Sequence, residues 1–204
     1  MHLLGQRLLG IIILLLLAML VTVKRKTTGS VLDKPTGGGL VQLVNVFNLF
    51  FLLVVNPAAA VSLIARRLDT IDPTHVTVTI PWLLTVLEVV GLVKYVAGFA
   101  LMAWALLRLG KSYQLGGSAP RTGDRMVTAG PYGLVRHPMY TAALSISFGL
   151  SLLTQSLAFL VVFCAYVALV LLLVSVEEEG LRSAYGSQYT AYREKTKKVV
   201  PFLY

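Results

Sequence analysis

Residues 139–176 read MYTAALSISFGLSLLTQSLAFLVVFCAYVALVLLLVSV. Two uncharged apolar runs, Met139 to Leu153 and Leu157 to Val176, are separated by Thr154-Gln155-Ser156 alone. A helix rises about 1.5 Å per residue and a bilayer core is about 30 Å thick, so runs of this length are membrane-span material. Joined by so short a break, they must lie antiparallel as a helical hairpin. The hairpin then returns its two flanks, the residues before 139 and after 176, to one membrane face.

Three more apolar runs precede the hairpin. Leu8 to Val23 is closed by Lys24-Arg25-Lys26 in the manner of a stop-transfer sequence. No A-x-A-like cleavage site follows it, so it is expected to be a retained first span and not a secretory signal. Leu40 to Ala65 is ended by Arg66-Arg67, and Asn56-Pro57 within it predicts a kink. Ile80 to Leu109 begins with Pro81 in a helix first turn. Between the second and third runs, residues 68–79 are a polar connector in which Thr77-Val78-Thr79 is strand-like but has nothing to pair with. Gly37 to Gly39 form a turn and lack a phosphate-binding motif. The tail, 177–204, is charged and is predicted to be helical until Pro201.

Composition agrees with this pattern. The chain is 56% hydrophobic and only 13% charged, whereas a soluble domain is nearer half apolar and a quarter charged. The expectation is an all-α polytopic membrane protein with about five transmembrane helices, one domain over 1–204. Residues 1–108 supply three N-terminal spans, and 109–204 supply the hairpin and tail. A net charge of +9 in a soluble protein would suggest nucleic acid. Here the basic residues lie between apolar runs, where they face anionic lipid, so nucleic acid is not an expected partner. Segments 24–38, 108–137 and 177–204 carry 14 Lys and Arg against 3 on the opposite side. The positive-inside rule therefore puts the N-terminus outside and the 110–137 loop and the tail in the cytoplasm. The single cysteine, Cys164, permits no intrachain disulfide and no cysteine-type metal cluster. It is expected to be a small packing residue.

Chemistry concentrates at the two flanks of the hairpin. Before it stands Gly130-Pro131-Tyr132-Gly133-Leu134-Val135-Arg136-His137-Pro138-Met139-Tyr140. Arg136 is always charged and can grip a carboxylate with two bonds, and His137 can donate or accept near neutral pH. Each residue alone is ordinary at a membrane boundary, where Arg snorkels and Tyr and His sit at the interface. Their density, with two fixed prolines and two permissive glycines, marks a built site. After the hairpin stands Glu177-Glu178-Glu179. Acids at a helix C-terminal end oppose the macrodipole, so they need a reason to be there. If the helix continues, Glu178, Leu181, Tyr185, Tyr189 and Tyr192 share one face. Cations and acids brought together by the hairpin suit a zwitterionic ligand.

This stretch resembles the family of isoprenylcysteine carboxyl methyltransferases and phospholipid N-methyltransferases. The matching residues are Leu109-Gly110, Met126-Val127-Thr128, Gly130-Pro131-Tyr132, Val135-Arg136-His137-Pro138 and Tyr140. After the hairpin come Glu177-Glu178, Leu181, Tyr185-Gly186, Tyr189 and Tyr192, with Glu179 outside the pattern. Met126 replaces leucine and Tyr185 replaces phenylalanine. Thr141 and Ala142 stand where a small residue or leucine and then glycine are usual, which bears on helix packing. The resemblance covers 109–192, and the first 108 residues match only as generic membrane helices.

The resemblance implies a membrane methyltransferase whose loop, hairpin ends and tail enclose S-adenosylmethionine, with no metal. Arg136 or His137 would hold the donor's carboxylate, and Glu177 or Glu178 its ammonium or ribose hydroxyls. Tyr132, Pro138, Tyr140 and the backbone around Gly130 and Leu134 would line the purine and ribose. Arg193 or a tail tyrosine would orient a lipophilic acceptor entering from the membrane. Carboxyl O-methylation of an isoprenylcysteine-like substrate is the leading expectation, and phospholipid amine N-methylation the alternative. A sterol-reductase-like NADPH enzyme shares a related R-H-P-x-Y segment but needs more spans and a longer chain. A non-enzymatic membrane protein is the remaining reading. Oligomeric state is not legible.

Elsewhere, Gln42, Asn45 and Asn48 are expected to be interhelical glue, and Gly91 and Gly98 to mark close helix contact. Glu88 and Lys94, six residues apart in one span, do not share a face. They suggest a cavity role or snorkelling. No role is assigned to His75.

Overall fold

The computed structural model describes residues 5–30, 38–113 and 125–200, apart from the side chain of Lys111. Gly37, Pro201 and the middle of the 110–137 loop lie outside the described residues. Helix α1 spans Gln6–Thr28, α2 Gly39–Phe50, α3 Asn56–Ala65 and the short α4 Leu68–Ile71. Helix α5 spans Pro81–Leu109, α6 Pro138–Thr154, α7 Leu157–Tyr185 and α8 Ser187–Lys195. Among the described residues, four stretches are long and apolar enough to cross a membrane: α1, Gly39–Ala65, α5 and α7. The fifth apolar helix, α6, has 17 residues. The protein is thus an all-helical polytopic membrane protein.

Large apolar side chains point outward all around it, among them Leu15, Trp82, Leu107 and Val161. In water this surface would be untenable, whereas in lipid it is the solvated face. Cys164 belongs to the same face. It is exposed on α7 and does not pack in the core, contrary to the sequence expectation.

Inside, small residues set the closest approach. A Cβ built on Gly149 of α6 would stand 2.6 Å from the backbone nitrogen of Tyr95 in α5, and one on Gly98 would stand 2.9 Å from the Ala142 carbonyl. The expected role of Gly91 and Gly98 holds, and Gly149 is their counterpart across the contact. Gly149→Val is expected to destabilise the fold by about 1–3 kcal/mol, because backbone on the facing helix cannot yield. Thermal unfolding in detergent measures this. Gly180→Ala, in open space on α7, is the control and should not lower the midpoint, since alanine is the better helix former.

Polar pairs then fix which helices meet. Tyr95 Oη donates to Asn56 Oδ1 at 2.6 Å, and Tyr166 Oη to Asn48 Oδ1 at 2.6 Å. Asn48 is therefore interhelical glue between α2 and α7. The Asn56-Pro57 pair produces a π turn, Phe51–Val55, joining α2 to α3. Proline withholds an N–H from the ladder, and the Phe51 carbonyl accepts from both the Asn56 amide and Asn56 Nδ2, the latter at 2.7 Å.

The hairpin turn has its own clasp. His75 Nδ1 lies 3.0 Å from the Thr154 carbonyl, and the Val76 amide donates to the Gln155 carbonyl at 2.9 Å. The connector after α4 thus finds its partner in the hairpin turn, and His75 has a structural role. The tail differs from expectation. Helix α7 ends at Gly186, whose φ of +53° and ψ of −123° favour glycine, and α8 ends at Lys195, short of Pro201. Beyond it the chain passes beside the segment before α6, with an isolated bridge from Lys197 to Val135.

Candidate functional site

The hairpin brings Arg136 and Glu178 into contact. Arg136 Nε donates to Glu178 Oε1 at 2.8 Å, and Nη2 lies 2.7 Å from the same oxygen. Arg136 Nη1 donates to the Arg193 carbonyl at 3.2 Å and to the Thr196 carbonyl. Both ionic side chains are buried. The guanidinium therefore serves the protein's own carboxylate and the C-terminal end of α8, and Glu178 is neutralised where it stands.

His137 is the next residue, also buried. Its Nδ1 lies 3.6 Å from Glu177 Oε2 and its Nε2 lies 3.6 Å from Glu178 Oε1, both beyond hydrogen-bond length. Burial opposes the imidazolium, but the two carboxylates outweigh it and hold His137 above its ordinary value of 6.5. Burial also pushes the Tyr192 phenol up to about 12, so it stays a neutral donor and bonds the Tyr132 carbonyl at 2.6 Å.

A cavity of about 300 Å³ opens beside this cluster. Its polar end is walled by Tyr132, His137, Tyr140, Glu177, Tyr185 and Tyr192. Its other end is walled by apolar residues of α1, the α2–α3 stretch and α5, such as Leu20, Leu52 and Met102. Buried polar atoms without a hydrogen-bond partner belong to this wall: His137 Nε2, Glu177 Oε2 and Asn45 Nδ2. Such atoms are rare in a folded protein and call for an explanation, and a polar ligand supplies one.

The expected site residues divide accordingly. Tyr132, Arg136, His137, Pro138, Tyr140 and Glu177 are on the cavity wall. Gly130, Leu134, Glu178 and Arg193 are not. Gly130, at φ +66°, makes a tight turn against the Arg108 side chain, and Leu134 is largely exposed. The Arg193 side chain is exposed on α8 and does not line the cavity, and its carbonyl accepts from Arg136. Leu181, Tyr185, Tyr189 and Tyr192 all face the cavity despite the helix break. The acid that joins them there is Glu177, not Glu178. Sequence reasoning missed Lys24, Tyr113 and Tyr166 on the wall. Lys24 Nζ sits over the Tyr113 ring, 5.3 Å from its centre. Asn45 and Asn48 were singled out only as glue, yet both also line the cavity.

Comparison with known proteins follows the same geometry. The chain is similar in fold to a solved eukaryotic intramembrane Ras methyltransferase, isoprenylcysteine carboxyl methyltransferase, with a TM-score of 0.53 at 20% identity. That likeness covers 80% of this chain and 74% of the other. It is 34% identical over 84 residues to the cobalt-zinc-cadmium resistance protein CzcN of Cupriavidus metallidurans. The match covers 41% of this chain and 38% of that relative, so it spans well under half of the relative's length. The family model described as phospholipid methyltransferase matches residues 86–188. Because that match spans half of the chain and takes in the loop, the hairpin and Glu177 that together wall the cavity, the chain belongs to the phospholipid methyltransferase family.

Proposed function

We propose that the protein is a membrane methyltransferase that uses S-adenosylmethionine to methylate a lipophilic acceptor, in the manner of carboxyl O-methylation of an isoprenylcysteine-like substrate. The observation that carries this reading is one cavity with two chemistries, a polar end with unsatisfied buried groups and an apolar end among membrane helices. The residues present fit the donor. His137, held toward its charged form, would receive a carboxylate, and Glu177 an ammonium or ribose hydroxyls. The tyrosine faces would take the purine and favour a cationic sulfur. The donor's contribution is an electrophilic methyl group on a sulfonium. The chain's contribution is to hold an acceptor oxygen in line with that methyl and keep water away, a proximity effect that needs no general base for a carboxylate.

Charge on the wall supports an anionic acceptor. Among the described residues that line the cavity, Glu177 is the one acid, and it stands at the polar end. The same wall carries the bases Lys24 and Arg125, with Lys24 over the Tyr113 ring, and the neutral polar Asn45 and Asn48. Phospholipid amine N-methylation is the second reading, favoured by the family's own description. The distribution of 14 basic residues against 3 supports a cytoplasmic site and an external N-terminus.

S-adenosylhomocysteine is expected to raise the unfolding temperature of the purified protein in detergent. Glu177→Gln should weaken that binding by roughly tenfold or more, as a charge-assisted contact becomes a neutral one. Binding should also weaken as pH rises through the elevated value of His137, because the imidazolium is lost, and His137→Gln should flatten that dependence. Stabilisation by a nicotinamide nucleotide instead would favour a reductase, and stabilisation by neither would refute the methyltransferase reading. Labelled methyl transfer to a prenylated cysteine or to phosphatidylethanolamine then decides between the two acceptors.

A further inference from the structure

Lys94 and Glu88 lie within α5 and neither lines the cavity. Glu88 is buried, whereas Lys94 is exposed on the outer surface of the bundle. The depth of Lys94 follows from helix contacts. A Cβ on Gly91 would stand 3.1 Å from the Gly149 carbonyl, and one on Gly98 would stand 2.9 Å from the Ala142 carbonyl. Lys94 is therefore level with the middle of α6. The polar ends of that helix, His137 and Gln155, lie about 10–14 Å away along the axis. A four-carbon stem covers roughly half of that distance. A lipid-facing ammonium at this depth is among the most expensive placements in a bilayer and marks an interaction by default.

We propose that the Lys94 face of α5 docks a transmembrane helix of another membrane protein, one that carries a carboxylate near mid-membrane. Charge complementarity identifies the partner's chemistry. The neighbourhood of Lys94 fits a helix contact, because Ala97 is small and exposed about one turn along the same face and lets a second backbone approach. A second copy of this chain does not supply the acid. Among the described residues of the spans, the carboxylate at comparable depth is Glu88, which is buried in its own bundle. It also sits six residues, about 9 Å, from the level of Lys94. This inference is independent of what the cavity binds.

The test uses the full chain in phosphatidylcholine vesicles, labelled with a fluorophore at Cys164, its single and exposed cysteine. The probes are synthetic leucine helices with one central aspartate, with one central lysine, or with leucine throughout. The aspartate probe is expected to associate about tenfold more tightly than the leucine probe, as an interhelical polar contact in lipid warrants. Lys94→Leu should abolish that advantage and Lys94→Arg should keep it, with S-adenosylhomocysteine binding or circular dichroism showing that both variants are folded. Equal association of the aspartate and leucine probes, or an aspartate preference that survives Lys94→Leu, would overturn the proposal. So would Lys94-dependent energy transfer between copies of the chain, which would assign the face to self-association.

Discussion

Arg136→Ala is expected to lower stability by about 3–5 kcal/mol, the range for removing one member of a buried, hydrogen-bonded ion pair. The loss exceeds that of an exposed pair because Glu178 stays behind, buried and stripped of the guanidinium that neutralises it. His137 and Lys198, at 3.6 and 3.8 Å, offer it charge but not the two short bonds that the guanidinium makes. The carbonyls of Arg193 and Thr196 lose their donor at the same time. Arg136→Lys should rescue little, since one ammonium cannot reach a carboxylate on α7 and two carbonyls after α8 together. Arg136→Met combined with Glu178→Leu should be milder than Arg136→Ala alone, because no orphaned charge remains. Thermal or denaturant unfolding in detergent gives all three values. A donor-binding role for Arg136 would instead show as lost S-adenosylhomocysteine affinity at unchanged stability.

That contrast shows where sequence reasoning was strong and where it stopped. The five apolar helices were legible because lipid imposes a length and a polarity that no other solvent does. The meeting of Arg136-His137 with Glu177-Glu178 was legible because a hairpin leaves its two ends no alternative. Which acid faces the cavity was not. Adjacent helical residues differ by about 100° in direction, and nothing in a run of three glutamates says which one meets Arg136. The structure turns Glu178 to the guanidinium and Glu177 to the cavity. The end of α7 was missed although Gly186 was in plain view, because the tyrosine spacing keeps its face across the break. Lys24 and Tyr166 were missed for a different reason. They come from helices distant in sequence, and only the bundle's assembly brings them to the same wall.

Truncation after Lys195 is expected to cost several kcal/mol and to abolish donor binding, although it removes no residue with an assigned contact to the donor. The segment after α8 supplies carbonyls to the segment that enters α6. The Arg136 amide donates to the Lys197 carbonyl at 2.8 Å, and the His137 amide to the Lys198 carbonyl at 3.0 Å. Thr141 Oγ1 donates to the Val199 carbonyl at 2.6 Å, and the Val199 side chain is buried among Val41, Val44 and Leu173. Each buried donor left without a partner costs about 1–3 kcal/mol, and the lost valine adds apolar burial. Thr141 departs from the family pattern at its position, and the structure supplies the reason, since its hydroxyl ties the tail to α6. A graded series separates strap from filler. Thr141→Val removes one bond and keeps the volume, so it should cost about 1 kcal/mol, whereas Val199→Ala should cost about 1–3 kcal/mol through lost transfer and a cavity. If the truncated protein binds S-adenosylhomocysteine with unchanged affinity, the strap is not what holds Arg136 and His137 in register, and the site must be organised by the hairpin alone.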